Sequence, residues 1–145
     1  MSDLSKWDSR FMELADIVSS WSKDPSTQVG CVIVDKHQRV VSVGFNGFPR
    51  GMEDNPEKLS DKAYKHSTVI HAESNAILFA KRDLTDCVLY STFPICASCA
   101  SVIMQANIAK VIYRPDKANV KWTELNKLAN SHMQEAGIEI QEFNL

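Results

Sequence analysis

Apolar residues recur at helical spacing near the start of the chain. Trp7, Phe11, Leu14, Ala15, Val18 and Trp21 fall on one stripe of a 3.6-residue helix. Pro25 disfavours helical backbone at Asp24, so this helix ends before Asp24-Pro25-Ser26-Thr27. Two β-rich runs follow, 29–35 and 40–45, about the polar turn Lys36-His37-Gln38-Arg39, and they predict a hairpin. Between 46 and 67, Gly47, Pro49, Gly51 and Pro56 stand among charges and predict one long loop.

Helical spacing returns over 70–82, with Ala72, Ala76, Ile77 and Ala80 suited to burial. A short strand over 87–91 leads through Thr92-Phe93-Pro94-Ile95 to a helix over 96–107 whose Val102, Ile103 and Ala106 face inward. Residues 110–113 predict a strand, 122–136 an amphipathic helix stopped by Gly137, and 138–143 a last alternating strand. Helices alternating with strands predict an α/β fold, a central sheet covered by helices on both faces. No repeat or linker interrupts the 145 residues, so 1–145 reads as a single domain.

Sixteen basic against eighteen acidic residues leave a net charge of −2, which excludes the broad basic face of a protein that grips nucleic acid by its phosphates. No apolar run approaches the roughly 18–20 residues that span a membrane, and the first residues lack a basic-then-apolar leader pattern. The expectation is a cytoplasmic protein without nucleic-acid or membrane partners. In a reducing compartment its four cysteines are not expected to form disulfides. Cys31 and Cys87 sit in apolar runs and read as small buried hydrophobes.

Cys96 and Cys99 differ in kind. They lie three apart at a helix start, on one side of its first turn, where the helix terminus favours the thiolate. His71 opens another helix, with Glu73 two residues on. Two thiolates and an imidazole suit zinc, and no further histidine or cysteine is spaced to close a four-ligand cage. His37 and His132 read as solvated, and His66, five residues before His71 in the loop, has no cysteine near it to share a second metal. Three protein ligands leave a position for water, which zinc acidifies from a pKa of about 15.7 towards 7. Glu73 is then the general acid/base that shuttles the proton. A Cys-x-x-Cys pair alone also fits a thioredoxin-like redox site, but that reading leaves His71 and Glu73 idle.

His-x-Glu followed by Pro and Cys-x-x-Cys is the signature of zinc nucleobase deaminases. The chain resembles that superfamily, and within it the deoxycytidylate (dCMP) deaminases. The likeness runs through Asp24-Pro25-Ser26-Thr27-Gln28-Val29-Gly30, Gly44-Phe45-Asn46-Gly47-Phe48-Pro49-Arg50-Gly51, His71-Ala72-Glu73-Ser74-Asn75-Ala76-Ile77-Leu78 and on to Cys99-Ala100. It implies a cytidine-deaminase-like fold with a mixed five-stranded sheet, and hydrolysis of dCMP to dUMP and ammonia, feeding dTMP synthesis. His71, Cys96 and Cys99 become the zinc ligands and Glu73 the proton shuttle. The Ala72 N–H binds the cytosine O2 and Asn46 the sugar. Lys23 and Ser26, with Tyr113 opposite and Arg114 nearby, are expected at the phosphate. The resemblance further implies a homo-oligomer, a hexamer in the larger members, with dCTP and dTTP as effectors, a magnesium ion accompanying the effector, and Gly44, Phe45, Asn46 and Gly47 in that control.

The chain departs from the family pattern in three places. Ile95 separates Pro94 from Cys96, Phe45 stands where tyrosine is common, and the long loop lacks cysteines for a second, structural zinc. Three alternatives stay open at this point: a nucleoside cytidine deaminase, a tRNA adenosine deaminase, which the charge of −2 disfavours, and a zinc-stapled interaction domain.

Overall fold

The computed structural model describes residues 4–116 and 118–144. Helix α1 (Lys6–Ser19) opens on a capping box, in which the Ser5 hydroxyl accepts from the Asp8 N–H and the Asp8 carboxylate accepts from the Ser5 N–H. Strands β1 (Gly30–Val34) and β2 (Val40–Phe45) form the hairpin, antiparallel, with an irregularity at Ile33/Val34. After α4 (Ala72–Ala80) come β3 (Val88–Ser91), α5 (Ala97–Gln105), β4 (Lys110–Tyr113), α6 (Val120–Glu135) and β5 (Glu139–Glu142). The sheet order is β2-β1-β3-β4-β5. β1 pairs antiparallel with both its neighbours, whereas β3, β4 and β5 run parallel, the helices α5 and α6 making the two crossovers. The sheet is mixed, as the resemblance implied.

Every residue of β1 is buried, because the strand lies mid-sheet with helices on both faces. Val32 and Val34 join Phe11, Met12 and Ala15 of α1 on one face; Cys31 and Ile33 join Ala72, Ala76, Ile103 and Met133 of α4, α5 and α6 on the other. Cys31 and Cys87 are buried hydrophobes. At Gly30 the helix lies so close that an added Cβ would stand 2.0 Å from the Ala15 carbonyl oxygen. Gly30→Ala is therefore expected to cost about 1–3 kcal/mol or more, read as a lowered urea midpoint.

Three expectations are corrected. The stretch 46–67 is not one loop: it holds the start of a bridge at Gly47 and the short helices α2 (Pro56–Ser60) and α3 (Lys62–Thr68). Asn55 caps the first, with Pro56 in its first turn, and Asp61 caps the second, so local capping builds helices too short for a periodic signal. The stripe of α1 is turned away from both tryptophans, with Trp7 and Trp21 exposed and Met12 buried in their stead. Val102 is likewise exposed, since α6 covers only the Cys99–Ile103 side of α5. Among the described residues no helix is long and apolar enough to cross a membrane.

Candidate active site

His71 and Cys96 occupy the N-cap positions of α4 and α5, in extended backbone, and neither side chain caps its helix. Capping there normally falls to Ser, Thr, Asp or Asn and contributes about 1 kcal/mol. Here both side chains turn to each other instead. The His71 Nδ1 lies 3.3 Å from the sulfur of Cys96 and 3.3 Å from that of Cys99. Bonds of about 2.0–2.3 Å at tetrahedral angles require donor separations of roughly 3.5 Å, so this donor set fits zinc. Among the described residues no other cluster of three such side chains converges this way.

The electrostatics favour one thiolate of the pair, and metal binding would have to deprotonate the other thiol and the imidazole. Hydrogen bonding from the Cys99 thiol holds the Cys96 thiol far below its ordinary value, burial opposing, with His71 and Ser98 adding to the effect. The Cys96 anion and burial push Cys99 up in turn. Hydrogen bonding to Cys96 raises the His71 imidazole against its burial. Gly44 of β2 lets α4 approach: a Cβ there would lie 2.5 Å from the Ala76 nitrogen.

Glu73, in the first turn of α4, is 4% exposed. Burial pushes its carboxyl up, and a 2.7 Å hydrogen bond donated by the Ser91 hydroxyl pulls it part of the way back. The same hydroxyl oxygen accepts from the Phe93 N–H at 3.2 Å, so it is fixed at the end of β3. A carboxyl held this way beside three soft donors can pass a proton in either direction. It lines a cleft of about 1200 Å³, together with the 24–29 segment, Asn46, Lys65, Phe93 and Trp122.

The zinc-binding region of cytidine and deoxycytidylate deaminases matches residues 5–114. The chain belongs to this deaminase family. An Aliivibrio fischeri protein described as an uncharacterized deaminase is 46% identical over 140 residues, covering 94% of this chain and 93% of that one. A Caenorhabditis elegans protein, "Probable deoxycytidylate deaminase", is 41% identical and covers 82% of this chain; the alignment takes in 62% of the worm protein's length. A crystal structure of a dCMP deaminase from the cyanophage S-TIM5, in complex with dCMP and dUMP, superposes with a TM-score of 0.76 over 98% of this chain and 100% of that chain, at 22% identity. That likeness shows the shared fold.

Within this deaminase domain the remaining expected residues are found in unequal places. Ala72, Ser26, Asn46 and Lys23 all line the cleft. Asn46 also ties β2 to the 24–29 segment, accepting from the Val29 N–H at 2.8 Å and donating to the Thr27 carbonyl at 2.8 Å; one amide proton is left over. The Lys23 ammonium is exposed and pairs with Asp54 at 3.0 Å. Tyr113 and Arg114, expected at the phosphate, are not among the residues that line the cleft. The Tyr113 hydroxyl, buried, donates to Glu142 and accepts from Asn130. The Arg114 guanidinium forks onto Asp16 at 2.7 and 3.1 Å and lies over the Phe143 ring. Phe45 meets Trp21 edge-on, and Gly47 bridges to Ile70.

Two residues of the site went unread, Ser91 behind Glu73 and Lys65 on the cleft. Ser91 lies two residues after Leu89, on the sheet face that α4 covers, and that parity was the available signal. Lys65 of α3 is 5% exposed, its ammonium 3.1 Å from Asp24 and 2.8 Å from the Ser26 hydroxyl. The Asp24 carboxyl is pushed up by burial, but the Ser26 and Thr27 N–H groups and Lys65 outweigh this and hold it below the usual range. In sequence, Lys65 is one more charge in a polar stretch.

Proposed function

We propose that residues 1–145 form one deaminase domain that hydrolyses dCMP to dUMP and ammonia, with a zinc ion held by His71, Cys96 and Cys99. The convergence of these three donors beside buried Glu73 carries the reading. Zinc held there supplies an acidified water, its pKa drawn from about 15.7 towards 7. Glu73 would take a proton from the water that adds to C4 and give it to the pyrimidine N3, then carry the proton of the new C4 hydroxyl to the amino group as the C4–N bond breaks and ammonia leaves. The Ser91 hydroxyl keeps that carboxylate aimed. The free N–H groups of the first turn of α4, Ala72 among them, receive the cytosine O2, because no side chain caps that helix. The spare Asn46 amide proton meets the sugar.

The phosphate reading moves from Lys23 to Lys65. An ammonium has three protons, and Lys65 uses two on Asp24 and Ser26 while lining the cleft. Lys65 and Ser26 then hold the monophosphate. A charge-assisted hydrogen bond contributes about 1.5–3 kcal/mol, so Lys65→Gln should raise KM for dCMP about 10–100-fold and leave deoxycytidine unaffected. Lys23→Ala should change KM little, an exposed ion pair contributing about 0–1 kcal/mol. Initial rates on both substrates separate the two lysines.

The same reading takes the enzyme as a cytoplasmic homo-oligomer, a hexamer under dCTP and dTTP control, with magnesium arriving alongside the effector nucleotide. The exposed Leu78 and Phe79 on α4 support self-association. Ammonia release from dCMP, cytidine and an adenosine stem-loop, before and after chelation, tests the function. Release from dCMP that chelation abolishes and zinc restores is expected; release from the stem-loop alone contradicts it.

A further inference from the structure

Trp122, Asn126 and Asn130 stand four residues apart, on one face of α6. Each donates a hydrogen bond away from the helix. The Trp122 Nε1–H donates to the Pro94 carbonyl at 2.8 Å, and the Asn126 amide donates to the Ile95 carbonyl at 3.0 Å. Asn130 donates to the Tyr113 hydroxyl at 3.1 Å and lies 3.4 Å from the Asn126 amide. Asn126 is only 6% exposed, a buried polar side chain on a helix that otherwise buries Ala129 and Met133. Pro94 and Ile95 are the two residues immediately before Cys96.

We propose that Trp122 and Asn126 are positioning residues for the metal centre, fixing the Pro94-Ile95-Cys96 turn so that the Cys96 sulfur faces His71 and Cys99. Cys96 is an N-cap in extended backbone, without the restraint of a helical hydrogen bond ahead of it. The direction of its side chain therefore follows the two preceding peptide planes, and α6 holds the carbonyl of each. The Trp122 ring also packs 6.0 Å from the His71 ring and 5.3 Å from Phe93, so one side chain steadies both ligand-bearing segments. Trp122, Asn126 and Asn130 themselves lie beyond the family match, which ends at residue 114. The inference rests on the zinc reading above.

The test uses the whole zinc-loaded protein and the variants Trp122→Phe, which keeps a ring and loses the donor, and Asn126→Leu. Competition with a chromophoric chelator gives zinc affinity and release rate, and the cobalt-loaded forms give the thiolate-to-metal absorption band. Groups that orient a ligand through hydrogen bonds typically set 10–100-fold in affinity, so each variant should bind zinc about 10–100-fold more weakly, with a shifted cobalt band. Met133→Val, which trims a fully buried α6 side chain that makes no bond to the turn, is the control for stability and should keep its zinc affinity within about threefold. Variants that hold zinc as wild type does overturn the inference. So does a Met133→Val protein that loses as much zinc affinity as Trp122→Phe at an equal loss of melting temperature. Should Asn126→Leu not fold, Trp122→Phe decides alone. A wild type that takes up no zinc overturns the metal reading as well, whereas zinc uptake with unaltered variants overturns only this inference.

Discussion

Glu73→Gln is expected to lower turnover of dCMP by about 10²–10⁴-fold or more while the protein keeps its zinc. The amide has nearly the shape of the carboxyl and can still bond to the Ser91 hydroxyl, so the first turn of α4 is undisturbed. It cannot accept a proton from water and release it to the ring. Glu73 makes none of the sulfur and imidazole contacts that gather the metal donors, so metal content is independent of it. Metal analysis and initial rates on one preparation check both halves. Near-normal turnover with zinc retained means that another group carries the proton.

Cys96→Ala and Cys99→Ala are expected to lose the metal, the activity and part of the thermal stability together. Weakening a ligand's hydrogen-bond partner costs about 10–100-fold in metal affinity, and removing one of three donors costs more. The stability loss follows because the metal joins the starts of α4 and α5, and binding free energy at such a site is also folding free energy. Thermal melts with and without added zinc read the effect: zinc raises the wild-type midpoint and leaves those of the variants unmoved. A variant that retains stoichiometric zinc refutes the ligand assignment.

The metal donors and Glu73 were legible in the sequence because each sits at the start of a helix that its own periodicity announces. Spacing alone then places Cys96 and Cys99 on one side of a first turn. The phosphate residues were not legible in this way. Lys65 belongs to a helix of seven residues held by the Asp61 cap, and its burial depends on Asp24, 41 positions away. The surroundings of Tyr113 and Arg114 were hidden for a related reason: their partners Glu142, Asn130 and Asp16 are set by sheet register and helix docking, which no local pattern encodes. Gly44, read as a control element, has a packing reason that appears only once α4 lies against β2.

The ratio of kcat/KM for dCMP to that for deoxycytidine, measured on the zinc-loaded wild type, tests the central claim most directly. The buried Lys65 ammonium on the cleft gives a phosphate a charge-assisted partner that the nucleoside lacks, and sites built to bind such a group discriminate by about 10⁴–10⁵. A preference for dCMP of several powers of ten is expected. Comparable values for the two substrates would contradict it and make the chain a nucleoside deaminase.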